Sequence, residues 1–296
     1  MKNMFQLRKC STLLVFGLLF FVGCEMIVEV DLPEHEPVLV VNSFFSPENP
    51  WVIRVNHSLG ILDSNQIEPV KNAKVELEVS GSQTYLLSRN SNGYYYNNAI
   101  PLPQVGKNYR VIVSAPGYEA VQGESHVPVA VQIDSVKSRR LLNTSGDIEL
   151  EITINFKDPV EIENYYQIAV RRVDGPGLYS GYLEFESDDL VFNRDGGTVF
   201  TDDLFNGNSY GLKITLYSHQ VHGADVRVDF MTTTEEYYKY IKSYRQYEDH
   251  DENPFAEPVF VYNNVENGLG IFAGFNRAQP KIASWQQRIY ILNSQD

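Results

Sequence analysis

The sequence predicts an all-β protein with one helix in its C-terminal half. The 19 tyrosines and 16 phenylalanines among 296 residues favour strands, because aromatic side chains suit a half-buried pleated surface. The segment 148–156 alternates apolar and polar residues at every position, which is typical of a strand with one wet face. Turn residues separate many such short segments. Because parallel strands are usually apolar on both faces, antiparallel sheets are expected.

Residues 1–23 are predicted to be an export signal. Basic residues precede an apolar run from Thr12 to Val22, which is too short to span a bilayer as a stable helix. The segment Phe21-Val22-Gly23-Cys24 resembles a bacterial lipobox, where a signal peptidase cuts and leaves an acylated cysteine at the new N-terminus. Cys24 is therefore the predicted lipidation site. A plain secretory signal, with an incidental cysteine, and an uncleaved membrane anchor are the alternatives.

Cysteine content and charge narrow the class of protein. Cleavage would remove Cys10 and leave Cys24 alone, so the mature chain is expected to fold without an internal disulfide. The formal net charge of −14 disfavours nucleic acid as a partner. It also disfavours adhesion to anionic lipid, so attachment to a bilayer is expected to come from the acyl chains on Cys24.

Residues 24–36 form a predicted acidic tether, and residues 37–128 a small β-sandwich. The tether is too polar to fold by itself, whereas the strand signals after it are short and regularly spaced. The segments 70–77, 92–94, 106–111 and 115–118 resemble the prealbumin-like, immunoglobulin-like sandwich of carboxypeptidase regulatory-type domains, which implies a fold and no activity. The strands are expected at Val38–Phe45, Trp51–Asn56, Ala73–Val79, Thr84–Leu87, Tyr94–Tyr96, Tyr109–Ser114 and Tyr118–Gly123.

Residues 129–296 are predicted to form a larger antiparallel β-sandwich or partly closed barrel. Pro128 marks the boundary, because the residue before a proline is held extended. The strands of this second unit are expected at Val131–Lys137, Ile148–Phe156, Tyr165–Val173, Tyr179–Phe185, Thr198–Thr201, Leu212–Ser218 and Asp225–Thr232.

One amphipathic helix is predicted at 234–248. Two overlapping Thr-x-x-Glu capping boxes begin it, and Tyr237, Tyr240, Ile241 and Tyr244 recur at helical spacing. These side chains are expected to pack on a sheet. The alternative is a stacking platform for a sugar or a peptide.

Ser209 is the candidate nucleophile, because Gly207 and Gly211 place it in a Gly-x-Ser-x-Gly pattern. In hydrolases that pattern lies between a strand and a helix. Here an alternating strand follows, so a hairpin turn is the favoured interpretation. His219 and His222 follow too closely along the chain to reach back to Ser209. No enzymatic activity is expected.

The candidate metal-binding residues match the spacing of known metal sites poorly, and no cofactor is expected. In a strand, His219 and His222 would project to opposite faces. The segment from Asp249 begins like a calcium loop but has Pro254 where such a loop needs glycine. A loose calcium site stays an alternative, at that segment or at the acidic pairs 188–189 and 202–203.

The stretch from Asn253 to Gly274 is the most distinctive segment. Its apolar run, Asn-Gly punctuation and spaced glycines predict a strand, a turn and a second strand. It resembles the C-terminal signature of the Bacteroidetes lipoprotein family known as domain of unknown function 4249. The resemblance covers essentially the whole chain after Cys24. Further matching segments are Val30–Pro33, Val38–Asn42, Asn72–Leu77, Asp158-Pro159, Asn164–Tyr166 and Leu204–Gly207.

This stretch supplies the other candidate site residues. We interpret it as a structural closure motif, with a docking surface as the alternative, because glycines and aromatics suit a tight hairpin on a sheet. The residues concerned are Asn253, Pro254, Phe255, Glu257, Pro258, Asn264, Asn267, Gly268, Gly270 and Phe272.

The resemblance implies an outer-membrane lipoprotein, often encoded beside a TonB-dependent transporter, and supplies no catalytic residues. We therefore expect a non-enzymatic binding or accessory protein, held in the lipid bilayer by palmitate or a similar chain on Cys24. A structural or adhesive surface protein is the first alternative, and a serine hydrolase using Ser209 is the second. Glu25, Glu29 and Asp31 resemble acidic surface-export signals, but the periplasmic and cell-surface faces both stay open.

Overall fold

A computed structural model describes residues 35–60, 63, 67–79, 83–143, 146–160, 162–195, 197–251, 259–286 and 289–291. The predicted β-rich class is confirmed, with about half of the residues in strands and a tenth in helices. The described residues from Glu36 onward belong to one compact unit. No helix of the described part is long and apolar enough to cross a membrane.

The described strands run from β1 near residue 39 to β18 near residue 291. They are β1 Leu39–Phe45, β2 Ile53–His57, β3 Lys74–Val79, β4 Gln83–Arg89, β5 Tyr94–Tyr96, β6 Asn108–Ser114, β7 Val121–His126, β8 Ile133–Leu142, β9 Ile148–Lys157, β10 Tyr165–Gly175, β11 Leu178–Leu183, β12 Val199–Thr201, β13 Ser209–Tyr217, β14 Val226–Thr233, β15 Val265–Glu266, β16 Leu269–Arg277, β17 Lys281–Ala283 and β18 Ile289–Ile291. The helices are α1 Leu190–Asp195, α2 Ser218–Val221 and α3 Glu235–Asp251.

Two sheets contain these strands. The larger follows the order β11, β10, β14, β16, β1, β2, β5, β4, β3, β6, β7, β15, with β12 beside β10 and β17 beside β14. The smaller follows the order β13, β9, β8, β18. The described strand pairs are antiparallel, as expected, except that β1 pairs with β16 and β8 pairs with β18 in parallel. Each parallel pair joins strands far apart in sequence, so no hairpin dictates their direction.

The first core lies where the larger sheet folds over itself. Residues 83–87 of β4 pair with β3, whereas Ser88 and Arg89 pair with β5, so β4 passes from one layer to the other. Trp51 packs on Tyr109 of the opposite layer at 4.7 Å between ring centroids. Phe272 of β16 completes this core from the far end of the chain.

The second core lies between the smaller sheet and strands β10 and β14 of the larger one. Strand β9 buries every second side chain from Leu150 to Phe156, as its alternation predicts. Phe156 packs on Phe230 of β14 at 4.7 Å between centroids. This pairing of two inner faces makes the second half of the protein a β-sandwich.

Helix α3 lies on the outer face of the larger sheet. Tyr237 packs on Phe44 of β1 at 4.8 Å between centroids and contacts Ile271 and Ala273 of β16. Thr234 caps the helix, because its Oγ1 accepts the N–H of Tyr237 at 3.4 Å. The predicted tyrosine stripe therefore packs on the sheet over its first two turns.

Candidate functional site

The two sequence-predicted sites are only partly visible in the structure. Cys24, the predicted lipidation site, lies outside the described residues. So does the first half of the C-terminal motif, which contains Asn253, Pro254, Phe255, Glu257 and Pro258. The described half begins at residue 259 and contains β15, its turn and β16.

Asn264 joins β16 to the neighbouring strand β7. Its side-chain Oδ1 accepts the N–H of Phe272 at 2.9 Å, and its Nδ2 donates to the Phe272 carbonyl at 2.9 Å. The same Nδ2 lies 3.2 Å from the carbonyl oxygen of Glu124 in β7. The amide therefore occupies the hydrogen-bonding groups that a further strand residue would otherwise satisfy.

The turn between β15 and β16 needs its asparagine and its glycines. Asn267 has φ 59°, a left-handed conformation that asparagine tolerates better than most residues. A Cβ on Gly268 would lie 2.6 Å from the carbonyl oxygen of Leu39, and one on Gly270 would lie 2.1 Å from that of Val41. These contacts show a turn that packs tightly against β1. The predicted hairpin is not formed by the described strands, because β15 pairs with β7, whereas β16 pairs with β1 and β14.

An exposed surface also lies in the described half of this segment. The side chain of Phe260 is 90% exposed, and Leu269 is 45% exposed. An open cavity of 690 Å³ lies between Val38 and the turn at Asn267. A docking role for the surface around this turn thus stays compatible with the structural role of the glycines in the turn.

Ser209 begins strand β13, after a turn in which Gly207 has φ 75° and donates its N–H to Asp158 at 2.8 Å. His219 lies beyond the other end of β13, so the extended chain separates the two residues by roughly 30 Å. His219 instead stacks on Tyr217, and His222 contacts Trp285. The two histidines thus have different neighbours, and neither approaches Ser209 along the strand.

The acidic candidates for calcium already serve the protein's own donors. The Asp202 carboxylate accepts the backbone N–H of Asn164 at 2.8 Å, and Asp189 accepts the Tyr210 hydroxyl at 2.6 Å. Asp249 and Asp251 lie within helix α3, and residues 252–258 of the candidate calcium loop lie outside the described residues. Among the described residues, no group of three or more histidine, cysteine or acidic side chains is placed to hold a metal.

The carboxyl group of Asp202 is buried and interacts with that of Asp158, which is buried as well. Burial raises the pKa of Asp202, the negative charge of Asp158 raises it further, and hydrogen bonds from Asn164 lower it. The Tyr166 hydroxyl donates to Asp158. This network joins the loop after β9 to the turn before β13.

The raised pKa of Asp202 gives stability a pH dependence. The folded state holds the Asp202 proton more tightly than the unfolded state, so ionising this group lowers stability as pH rises above the ordinary value of 3.8. Asp202→Asn keeps an acceptor for Asn164 but carries no charge. We expect it to raise the free energy of unfolding at pH 7 and to lose this advantage as the solution is acidified towards pH 4.

Urea unfolding at several pH values measures this difference. Asp203→Asn, at the exposed neighbouring position, is the control and should show no comparable gain. A variant Asp202→Asn that is less stable than wild type at pH 7 would show that the charge itself is needed in the network.

A cluster of arginine side chains on the outer face of β10, β14 and β16 was not among the sequence-predicted residues. Asp229 is 0% exposed and accepts two donors each from Arg171 and Arg227, the shortest contacts being 2.8 and 2.7 Å. Arg277 reaches the same carboxylate at 3.8 Å and Glu48 at 2.8 Å. The alternation of Val226, Val228 and Phe230 could have indicated that Arg227 and Asp229 share the other face.

Two tyrosines of the edge strand β11 border this cluster. The Arg227 guanidinium lies 4.8 Å from the centroid of the Tyr179 ring. The Arg171 guanidinium lies 5.4 Å from the Tyr182 ring. Arg171, Arg227, Arg277, Asp229, Tyr179 and Tyr182 are called the arginine cluster below.

Comparison with known proteins gives one result. A family model described as a domain of unknown function (DUF4249) matches residues 25–281, which is most of the chain and includes every described strand from β1 to β16. This is the family that the C-terminal stretch resembles. The search of curated proteins found no match.

Proposed function

Because the chain belongs to the domain of unknown function (DUF4249) family, we propose that it is a lipid-anchored, non-enzymatic binding or accessory protein of the outer membrane. The observation that carries this proposal is the sequence of residues 1–24, in which basic residues and an apolar run precede Gly23 and Cys24. The family match begins at residue 25, so the acylated cysteine would lie directly before the matched part of the chain.

The β-sandwich scaffold supports a binding role more than a spacer role. A spacer needs a stable core but no particular surface groups. This chain also carries the partly buried arginine cluster, which the exposed Tyr182 borders, and the exposed Phe260. Arginine and aromatic residues are enriched at protein interfaces and ligand sites. The proposed partner is a TonB-dependent transporter in the same membrane, which the protein would assist by receiving a ligand or covering its outer opening.

Co-purification tests this proposal. The full chain carrying a C-terminal affinity tag is extracted from outer membranes in several mild detergents, and we expect a TonB-dependent transporter to be recovered with it. Cys24→Ser should abolish labelling by palmitate, remove the protein from the outer-membrane fraction and abolish transporter recovery.

The control is a tagged Ser209→Ala chain, which should behave as wild type. Recovery of the wild-type chain alone in every detergent would contradict the accessory role and favour a structural or adhesive protein. Unchanged palmitate labelling of Cys24→Ser would contradict the anchor.

A further inference from the structure

The arginine cluster carries more positive charge than its strands need for pairing. Arg171 and Arg227 lie directly opposite each other in the register of β10 and β14. Like charges in that position destabilise a sheet. Asp229 compensates one of the two, and Arg277 adds a third guanidinium, which pairs with Glu48 at 2.8 Å. Two carboxylates thus face three guanidiniums, and one positive charge is left over in a protein of net charge −14, a local departure of the kind that occurs at functional sites.

The guanidinium groups have donors beyond those that Asp229 uses. Each guanidinium carries five N–H donors, of which Arg171 and Arg227 each direct two nitrogens at Asp229. The Nε of Arg277 is buried and has no hydrogen-bond partner in the structure. Two negative oxygens that approach from solution would instead meet the remaining donors of Arg171 and Arg227, whose side chains are 22% and 16% exposed. These donors are already oriented, because Asp229 fixes the planes of both guanidiniums.

The border of the cluster is aromatic and leads into a cavity. Tyr182 is 66% exposed, and its ring lies beside the Arg171 guanidinium. Tyr182 also lines a cavity of 610 Å³ together with Phe185, Phe192 and Arg245. Cavities of this size hold small ligands, and their apolar walls bind the body of a ligand while a few polar groups orient it.

From this arrangement we propose that the arginine cluster binds a ligand through a carboxylate group, with the apolar face of the ligand stacked on Tyr182 and directed into the neighbouring cavity. A carboxylate fits because guanidinium binds it through two parallel hydrogen bonds. The inference rests on the proposed binding role and adds the chemical class of the ligand. The carboxylate can belong to an acidic peptide or to a uronic-acid sugar, which share this chemistry.

Isothermal titration calorimetry of the full chain in detergent distinguishes these sources. The probes are a tetrapeptide of alternating tyrosine and glutamate and a trimer of galacturonate, each compared with an uncharged form, the glutamine peptide and the methyl ester. We expect one acidic probe to bind, its uncharged form to bind much more weakly, and affinity to fall as salt is raised.

Arg227→Gln is expected to weaken binding of that probe by about tenfold, since a hydrogen bond to a charged group is lost. Arg171 still pairs with Asp229 in this variant, so the buried carboxylate keeps a partner. The matched control is Arg172→Gln, which removes an exposed guanidinium from the next residue of β10, where it pairs with Asp174, and should leave affinity unchanged.

Tyr182→Ala is the second variant, for the case that Arg227→Gln does not fold. Because Tyr182 is largely exposed, this variant is expected to fold, and it should also weaken binding of the acidic probe. Equal affinity for acidic and uncharged probes would overturn the proposal, as would equal losses in Arg227→Gln and Arg172→Gln. Absence of binding by both acidic probes would overturn it too. If neither acidic probe binds but a transporter is recovered by co-purification, the proposed ligand class is refuted and the proposed accessory function is not.

Discussion

Gly270→Ala is expected to lower the free energy of unfolding by about 4 kcal/mol, which places it among the most damaging single substitutions. The new Cβ would lie 2.1 Å from the carbonyl oxygen of Val41 and 2.8 Å from its carbonyl carbon. Neither atom can move without breaking the parallel pairing of β1 with β16. Gly270 also has φ 116°, a conformation that side chains disfavour.

Two alanine controls separate these causes. Gly106 has φ 74° and open space around its Cβ position, so Gly106→Ala should cost about 1 kcal/mol from backbone strain alone. Gly181 has open space and no positive φ, so Gly181→Ala should be nearly neutral. Thermal and urea unfolding of the purified chains measure all three.

The result tests the interpretation of the C-terminal motif as a structural closure. A closure motif predicts the large loss, or a chain that does not accumulate in folded form, because β16 contributes Phe272 to the first core and pairs with β14 beside the second. A motif that served docking alone would allow Gly270→Ala to stay within about 1 kcal/mol of wild type.

Local patterns predicted individual elements well, since they depend on neighbours in sequence. The alternation at 148–156 corresponds to β9, and the tyrosine spacing corresponds to α3. A single helix was predicted, and helices α1 and α2 were missed, because Leu190–Asp195 and Ser218–Val221 are each too short to show a periodic pattern. The parallel pairing of β1 with β16 was missed because it joins residues more than 200 positions apart, a contact that no local pattern encodes.

The two candidate sites, the C-terminal motif and the arginine cluster, also differ in how far the sequence predicts them. The sequence pattern identified the glycines and asparagines around residue 268, because Asn-Gly punctuation is a local turn signal. The contacts of Gly268 and Gly270 with β1 could be identified only from the structure. It did not identify the arginine cluster, because Arg171, Arg227 and Arg277 come together only through the registers of β10 with β14 and of β14 with β16. The alternation of Val226, Val228 and Phe230 could have indicated that Arg227 and Asp229 share one face. The residues opposite them on β10 and β16 could be identified only from the structure.

Asp229→Ala is expected to destabilise the protein by about 3–5 kcal/mol, because removing one partner of a buried ion pair leaves uncompensated charge behind. Here Arg171 and Arg227 would face each other across β10 and β14 without the carboxylate that now lies between them. Asp174→Ala is the matched control. It removes a half-exposed carboxylate that pairs with Arg172 at 2.6 Å, and exposed pairs of this kind contribute below about 1 kcal/mol.

The arginine cluster also predicts how Asp229→Ala responds to anions. Acetate or sulfate that occupies the vacated position would bind the folded state alone and so stabilise it, whereas wild type and Asp174→Ala should gain less. Unfolding midpoints measured at rising concentrations of each salt, with chloride as the reference, test this. Parallel gains in all three proteins would indicate a general salt effect, and a loss below about 1 kcal/mol in Asp229→Ala would show that the arginines do not depend on this carboxylate.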